Sequence, residues 1–320
     1  MHFLRVIFFF VLTVMSTAGF ACEKAAAADE LLSSTFPVFL FTKAVTEGRN
    51  NYNVKLMLDS SLGCPHDYAP TPAELERLSR AKILVINGLG LEAFLTKALS
   101  VARDDLVVVD ASAEGKTGEE KNIIMNKEAA IADLPSGHSH HPDDGHAHDE
   151  VNAHLFAAPS SAAAMVENIA KGLAVIDPDG AEIYQANAAG LADELKSLAG
   201  RMRELGHKWN RPKVIVSHSI FHYLANDLNL TVVASIEEED GADPSAARLA
   251  QLAGLIRKEG VKAILTDPEG NRKLAHTLGA EAGIPVVVID PVASGPADAA
   301  PGYYQKVMNS NLDVLSEIFS

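Results

Sequence analysis

The chain has 320 residues, 48% of them hydrophobic, and a formal net charge of −15 at pH 7. That length and apolar content suit two ordinary domains with substantial cores, and the acid excess argues against nucleic acid or an anionic membrane surface as partner. With Cys22 and Cys64 as its only cysteines, the chain needs no disulfide framework, although one Cys22–Cys64 bridge stays open in an oxidising compartment.

The first residues, MHFLRVIFFFVLTVMSTAGFAC, place Arg5 before a short apolar run, Val6 to Met15, and then mostly small residues up to Ala21. This is a secretory signal pattern over 1–21, too short for a comfortable membrane span. It predicts export to the periplasm. Cleavage after Ala21 leaves Cys22 first. Lipid anchoring there is the weaker alternative, because Gly19 stands where leucine is preferred and bulky Phe20 follows.

Beyond a polar, Ala-rich lead, strands and helices alternate. FPVFLFTKAV (36–45) reads as a strand entering a helix, and YNVKLML (52–58) alternates like a strand. A loop punctuated by Pro and Gly (60–72) leads to a helix over 73–81. KILVINGLG (82–90) and LVVVDAS (106–112) read as buried strands. The pattern predicts an α/β N-terminal lobe over 31–176 with a mainly parallel sheet. Within it, the polar stretch from 113 to 150 reads as a long loop. SGHSHHPDDGHAHDEVNAH (136–154) holds six of the chain's twelve histidines, and imidazole-rich tracts are metal-binding candidates.

Leu191, Leu195, Leu198, Met202 and Leu205 step by four, three, four and three, a single apolar helical stripe. Asp177-Pro178-Asp179 is a start signal and Gly206 a stop, so 177–206 reads as a linking helix of roughly 40 Å. A second α/β lobe over 212–320 follows, with strands at 213–218, 231–236, 262–267 and 285–290 and a helix over 245–260. Three of these strands close on a polar residue: His218, Asp267 and Asp290. His66, in the loop after 52–58, stands in the same relation to the first lobe. In open α/β sheets ligands bind beyond the carboxyl ends of the strands. Any one such residue is more simply a cap or a single hydrogen bond; several together point to a site between the lobes.

GCPHDYAPTPAELERLSRAKILVINGLGLEAFL (63–95), DPDGAEIYQANAAGLADEL (177–195), the stretch 242–295 and YYQKVMNSNLDVL (303–315) resemble the metal-binding solute-binding proteins of bacterial ABC importers, the zinc and manganese uptake group. The resemblance implies two lobes joined by one rigid helix with a metal between them, held by His66, His154, His218 and Asp290. NAHLFAAP lacks the tryptophan and serine usual around the second ligand, and Ser219 replaces an acid common after the third. Three imidazoles and one carboxylate suit tetrahedral Zn2+, whereas manganese prefers oxygen. Manganese or iron is the alternative cargo. His222 and Asp267 are neighbours of the site. Cys64, two residues before His66, is an attractive soft donor for which the resemblance leaves no vacancy.

His138, His140, His141, His146 and His148, in the loop 137–150, are expected to bind extra zinc weakly near the cleft. The resemblance implies a monomeric, non-enzymatic zinc carrier that serves a membrane ABC permease. A zinc-dependent adhesin or buffering protein is an alternative with the same fold. A secreted metallohydrolase is disfavoured, because four protein ligands close the site and no HExxH spacing occurs.

Overall fold

The computed structural model describes residues 29–65, 68–113, 123–133, 151–237 and 244–320. The first lobe runs β1 (Asp29–Ser33), α1 (Phe36–Val45), β2 (Tyr52–Leu56), α2 (Pro72–Arg80), β3 (Ile83–Ile86), α3 (Leu95–Ala98), β4 (Val107–Asp110), β5 (Ile124–Asn126) and α4 (Lys127–Asp133). Two long helices follow, α5 (Pro159–Ile176) and α6 (Ala181–Lys208). The second lobe is β6 (Lys213–Val216), α7 (His222–Asp227), β7 (Thr231–Ser235), α8 (Ala246–Glu259), β8 (Ala263–Thr266), α9 (Arg272–Ala282), β9 (Val286–Val288) and α10 (Tyr303–Phe319). The first sheet has the order β2-β1-β3-β4-β5, parallel except for β5. The second has the order β7-β6-β8-β9 and is parallel throughout. Two mainly parallel sheets on either side of one long helix were expected, and the fold has them.

Period-two side-chain alternation explains how these sheets are buried. In the first sheet Leu31, Ile83 and Val85 face one cluster, while Leu32, Leu84 and Ile86 face another. In the second, Val214, Val216 and Leu265 face that same first cluster, while Ile215 and Ile264 pack outward on Leu252, Ile256 and Leu278. The inner faces of both sheets therefore share one core, threaded by Leu195, Leu198 and Met202 of α6. Tyr304 of α10 seals it, with its ring 5.3 Å from that of Phe41 and its hydroxyl donating to Phe156 O at 2.8 Å. Such a core leaves no free hinge between the lobes.

Four local readings need correction. The stretch 113–150, expected to be one long loop, carries β5, paired antiparallel to β4, and α4. FPVFLFTKAV is helical throughout, with Pro37 in the first turn, where a missing amide costs nothing. Seven of its ten residues are buried, so it is apolar nearly all round and periodicity cannot tell it from a buried strand. The strand comes earlier, as DELLS between β2 and β3 in the sheet, and its first two residues overlap the end of the polar, Ala-rich lead. Finally, α6 does not stop at Gly206 but runs on to Lys208. A Cβ at 206 would lie 1.7 Å from Leu228 O, so this glycine permits close packing and is not a terminator. No described helix is long and apolar enough to cross a membrane.

Candidate metal site

His154 sits just before a short 3-10 turn that leads into α5, and is 1% exposed. Asn152 fixes it: Oδ1 accepts from the His154 backbone N–H at 2.9 Å and lies 2.8 Å from ring Nδ1. An amide oxygen can only accept, so Nδ1 carries the proton and Nε2 presents its lone pair. The same Asn152 reaches across the lobe boundary. Its Nδ2 donates to Ser219 O at 2.7 Å, and its carbonyl accepts from Tyr223 Oη at 3.0 Å.

The residue before His154 is held as firmly. Ala153 O accepts from Asn87 Nδ2 at 2.8 Å. Asn87 and Gly88 form the turn after β3, and their amides donate to the Glu92 carboxylate at 2.7 and 3.2 Å, with Ser34 Oγ donating as well. Burial outweighs these donors and pushes Glu92 up to about 7. Gly88 has φ +83°, and a Cβ there would lie 2.1 Å from Asp110 Oδ1. Only glycine fits this turn.

From the second lobe, His218 follows β6 in extended backbone and meets His154 ring to ring, with centroids 4.9 Å apart and planes at 81°. Two imidazoles on one tetrahedral zinc, each nitrogen at ~2.0–2.1 Å, would hold their centres about 5 Å apart. The pair fits a shared metal. His218 Nδ1 accepts from Ile220 N–H at 3.3 Å, a long contact that holds the tautomer less firmly.

Asp290 follows β9. Its backbone is clamped by Asn311 of α10, which accepts from Asp290 N–H at 3.1 Å and donates to Asp290 O at 2.7 Å. Its Oδ1 accepts from Val292 N–H at 2.7 Å. Burial raises the Asp290 pKa against that hydrogen bond, and the charges of Glu269 and Asp267 raise it further. Asp267 is held by Ser217 Oγ at 3.4 Å, and Glu269 by Ser294 Oγ at 2.7 Å. These carboxylates bring negative potential to the gap, which favours a cation.

His66 and the His138–His148 segment lie outside the described residues. The flanks of His66 are anchored: Tyr68 Oη donates to Glu74 at 2.8 Å, within a Thr71–Glu74 capping box at the start of α2. Ser60 O, in the same loop, accepts from Gly295 N–H at 2.9 Å, joining the loops that follow β2 and β9. Cys64 Sγ lies 3.0 Å from His154 Nε2. His222 turns elsewhere, with Nε2 3.3 Å from Ser235 Oγ in a groove of about 420 Å³ beside β7, where burial lowers its pKa. Among the described residues, no three His, Cys, Asp or Glu side chains form a ready cage. Sequence reasoning missed Asn152, whose only signal is its place two residues before His154.

Two α/β lobes around a shared core, with a histidine from each meeting at the gap, are the architecture of a solute-binding protein of the metal type. Residues 32–318 match the family described as zinc-uptake complex component A, periplasmic (ZnuA), and the chain belongs to that family. It is 29% identical over 302 residues to the zinc-binding lipoprotein AdcA of Streptococcus pneumoniae, across 93% of this chain and 58% of AdcA. The chain thus spans little more than half of that relative. It is 27% identical over 314 residues to the high-affinity zinc uptake system protein ZnuA of Bacillus subtilis, across 94% of this chain and 91% of that protein. A crystal structure of ZnuA superposes with a TM-score of 0.70 at 25% identity, covering 92% of this chain and all of the other.

Proposed function

We propose that this protein captures Zn2+ outside the cytoplasm, between its two lobes, and delivers it to a membrane ABC permease. The observation that carries the reading is the His154–His218 pair, one imidazole from each lobe at the spacing a single metal requires. The full ligand set is His66, His154, His218 and Asp290. Three nitrogens and one oxygen favour zinc over manganese. The ion exchanges water for side chains and leaves unchanged, so the protein is a carrier and not an enzyme. It acts as a monomer, exported by the signal segment 1–21, with the N-terminal lobe, 31–176, and the C-terminal lobe, 212–320, braced by 177–206. The shared core supports capture by small local adjustments rather than a wide hinge motion. The His-rich stretch 137–150 serves as a weaker zinc store beside the entrance.

Metal content and competition titration test this on the purified protein, its His66→Ala variant and a 138–148 deletion. One tight zinc lost in His66→Ala, with weaker zinc lost in the deletion, is the expected result. Tight zinc surviving His66→Ala would overturn the ligand set, and a preference for manganese the cargo. Uptake by cells lacking the protein separates transport from an adhesin or a zinc buffer, since neither of those needs a permease.

A further inference from the structure

His154 and His218 each stand one short turn before a helix, and those two helices are joined across the lobe boundary. After His154, the 3-10 turn Leu155–Ala157 is at most 2% exposed and leads straight into α5. After His218, the 3-10 turn Ser219–Phe221 leads straight into α7. The start of α5 has no cap of its own, since Ala158 offers no side-chain oxygen and Pro159 no amide. Ser160, the next residue, has an N–H with no acceptor inside the helix. It donates instead to Oδ2 of Asp227, the last residue of α7, at 2.8 Å. Asp227 is 1% exposed, and the helix dipole favours a carboxylate at this end, which offsets part of the cost of burying it. A helix of the first lobe is thus capped by the second.

We propose that Asp227 is a positioning residue for zinc: by capping α5 from the second lobe, it fixes where His154 stands relative to His218. The inference rests on the reading of the cleft as a zinc site. Three hydrogen bonds span the boundary here, and they bracket His154. Asn152, two residues before it, bonds to Ser219 and Tyr223; Ser160, six residues after it, bonds to Asp227. All three partners follow His218 within nine residues. Bonds on one side of His154 alone would let the chain swing about them, whereas bonds on both sides set its position and direction. The ion then meets two imidazoles already 4.9 Å apart between centres, and the ordering cost falls on folding rather than on binding. Asp227 acts on the metal through the buried turn.

The test is zinc competition titration of the full protein and its Asp227→Ala, Asp227→Asn and Ser245→Ala variants, under conditions where each is folded. Asp227→Ala is expected to lose ~10–100-fold in zinc affinity with stoichiometry unchanged. Asp227→Asn keeps an oxygen for the Ser160 amide and recovers most of that loss. Ser245→Ala removes the cap of α8, where Ser245 Oγ accepts from Arg248 N–H at 3.2 Å. It lowers the denaturation midpoint and leaves zinc affinity unchanged, which shows what loss of a cap alone does. A second reading needs no variant: hydrogen exchange at Ser160 in the metal-free wild type. First-turn amides ordinarily exchange fast, so protection of Ser160 comparable to the interior of α5 reports the Asp227 cap before metal arrives. Wild-type zinc affinity in folded Asp227→Ala, an asparagine variant no better than alanine, or fast exchange at Ser160 overturns the role of Asp227 and leaves the proposed function standing. Absence of tight zinc from the wild type overturns that function and this inference with it.

Discussion

His154 and His218 reach one gap from opposite lobes, and the lobes prepare them differently. In the first, the donor lies on a buried connection, and three hydrogen bonds fix it: at the preceding carbonyl, at its own amide and at Nδ1. In the second, His218 and Asp290 stand half-buried at the ends of parallel strands, and Nδ1 of His218 accepts a long hydrogen bond from Ile220 N–H. A strand end places a side chain; a buried loop with its own acceptors also sets orientation and tautomer. The first lobe is thus the prepared half of the site, and the second completes it.

The largest effect should come from removing the prepared donor. His154→Ala is expected to weaken zinc binding by more than the ~100-fold that marks the upper end for a supporting residue, and His218→Ala by less. Competition titration of the two variants decides; equal losses would mean that the asymmetry has no energetic consequence. The second comparison concerns α6, which serves both lobes. Gly206 approaches Leu228 of the second lobe so closely that Gly206→Ala should destabilise by about 3 kcal/mol. Gly200, on the same helix with nothing within 4 Å of a Cβ, should become up to ~1 kcal/mol more stable as alanine. Denaturant midpoints measure both, and a neutral Gly206→Ala would show that α6 can slide from its seat.

Asn152 belongs to both lobes through His154, Ser219 and Tyr223. Asn152→Ala should lower zinc affinity ~10–100-fold while stoichiometry stays at one. Asn152→Asp, which keeps the acceptor for Nδ1 but loses the donor to Ser219, should recover part of that loss. If the two variants bind alike, the bridge between lobes and not the orientation of the ring is what Asn152 supplies.

The strand-end positions of His218 and Asp290 were legible because an apolar run closed by a histidine or aspartate survives any packing: KVIVSH and PVVVID became β6 and β9 with these two residues beyond them. What was not legible depends on partners distant in sequence. Asn152 acts through Ser219 and Tyr223, and Gly206 through Leu228. DELLS is a central strand only because β2 and β3 cover it on either side. Local pattern fails at α1 for a related reason: a helix buried on nearly every side loses the polar stripe that identifies it. Cys64 had a visible signal, its spacing to His66, and spacing alone could not show that its sulfur meets His154.

The smallest expected effect separates the frame of the first lobe from its donors. Glu92 is fully buried and ties the Asn87–Gly88 turn that holds Ala153. With its pKa raised to about 7 from an ordinary glutamate value near ~4.3, it binds a proton more tightly folded than unfolded. Its contribution to stability is therefore full below ~4.3 and is lost as pH rises through about 7. Metal-free protein should lose stability relative to Glu92→Gln as pH rises across that window, by at most ~1.4 kcal/mol per unit. Zinc affinity should run the other way, since the metal takes neutral imidazole, which a pH above ~6.5 supplies. Thermal unfolding of metal-free wild type and Glu92→Gln over a pH series reads the first slope, and zinc competition over the same series reads the second. Parallel unfolding curves would mean that Glu92 stays ionised in its buried seat, held by Ser34 and the two amides, and that the frame is insensitive to protons.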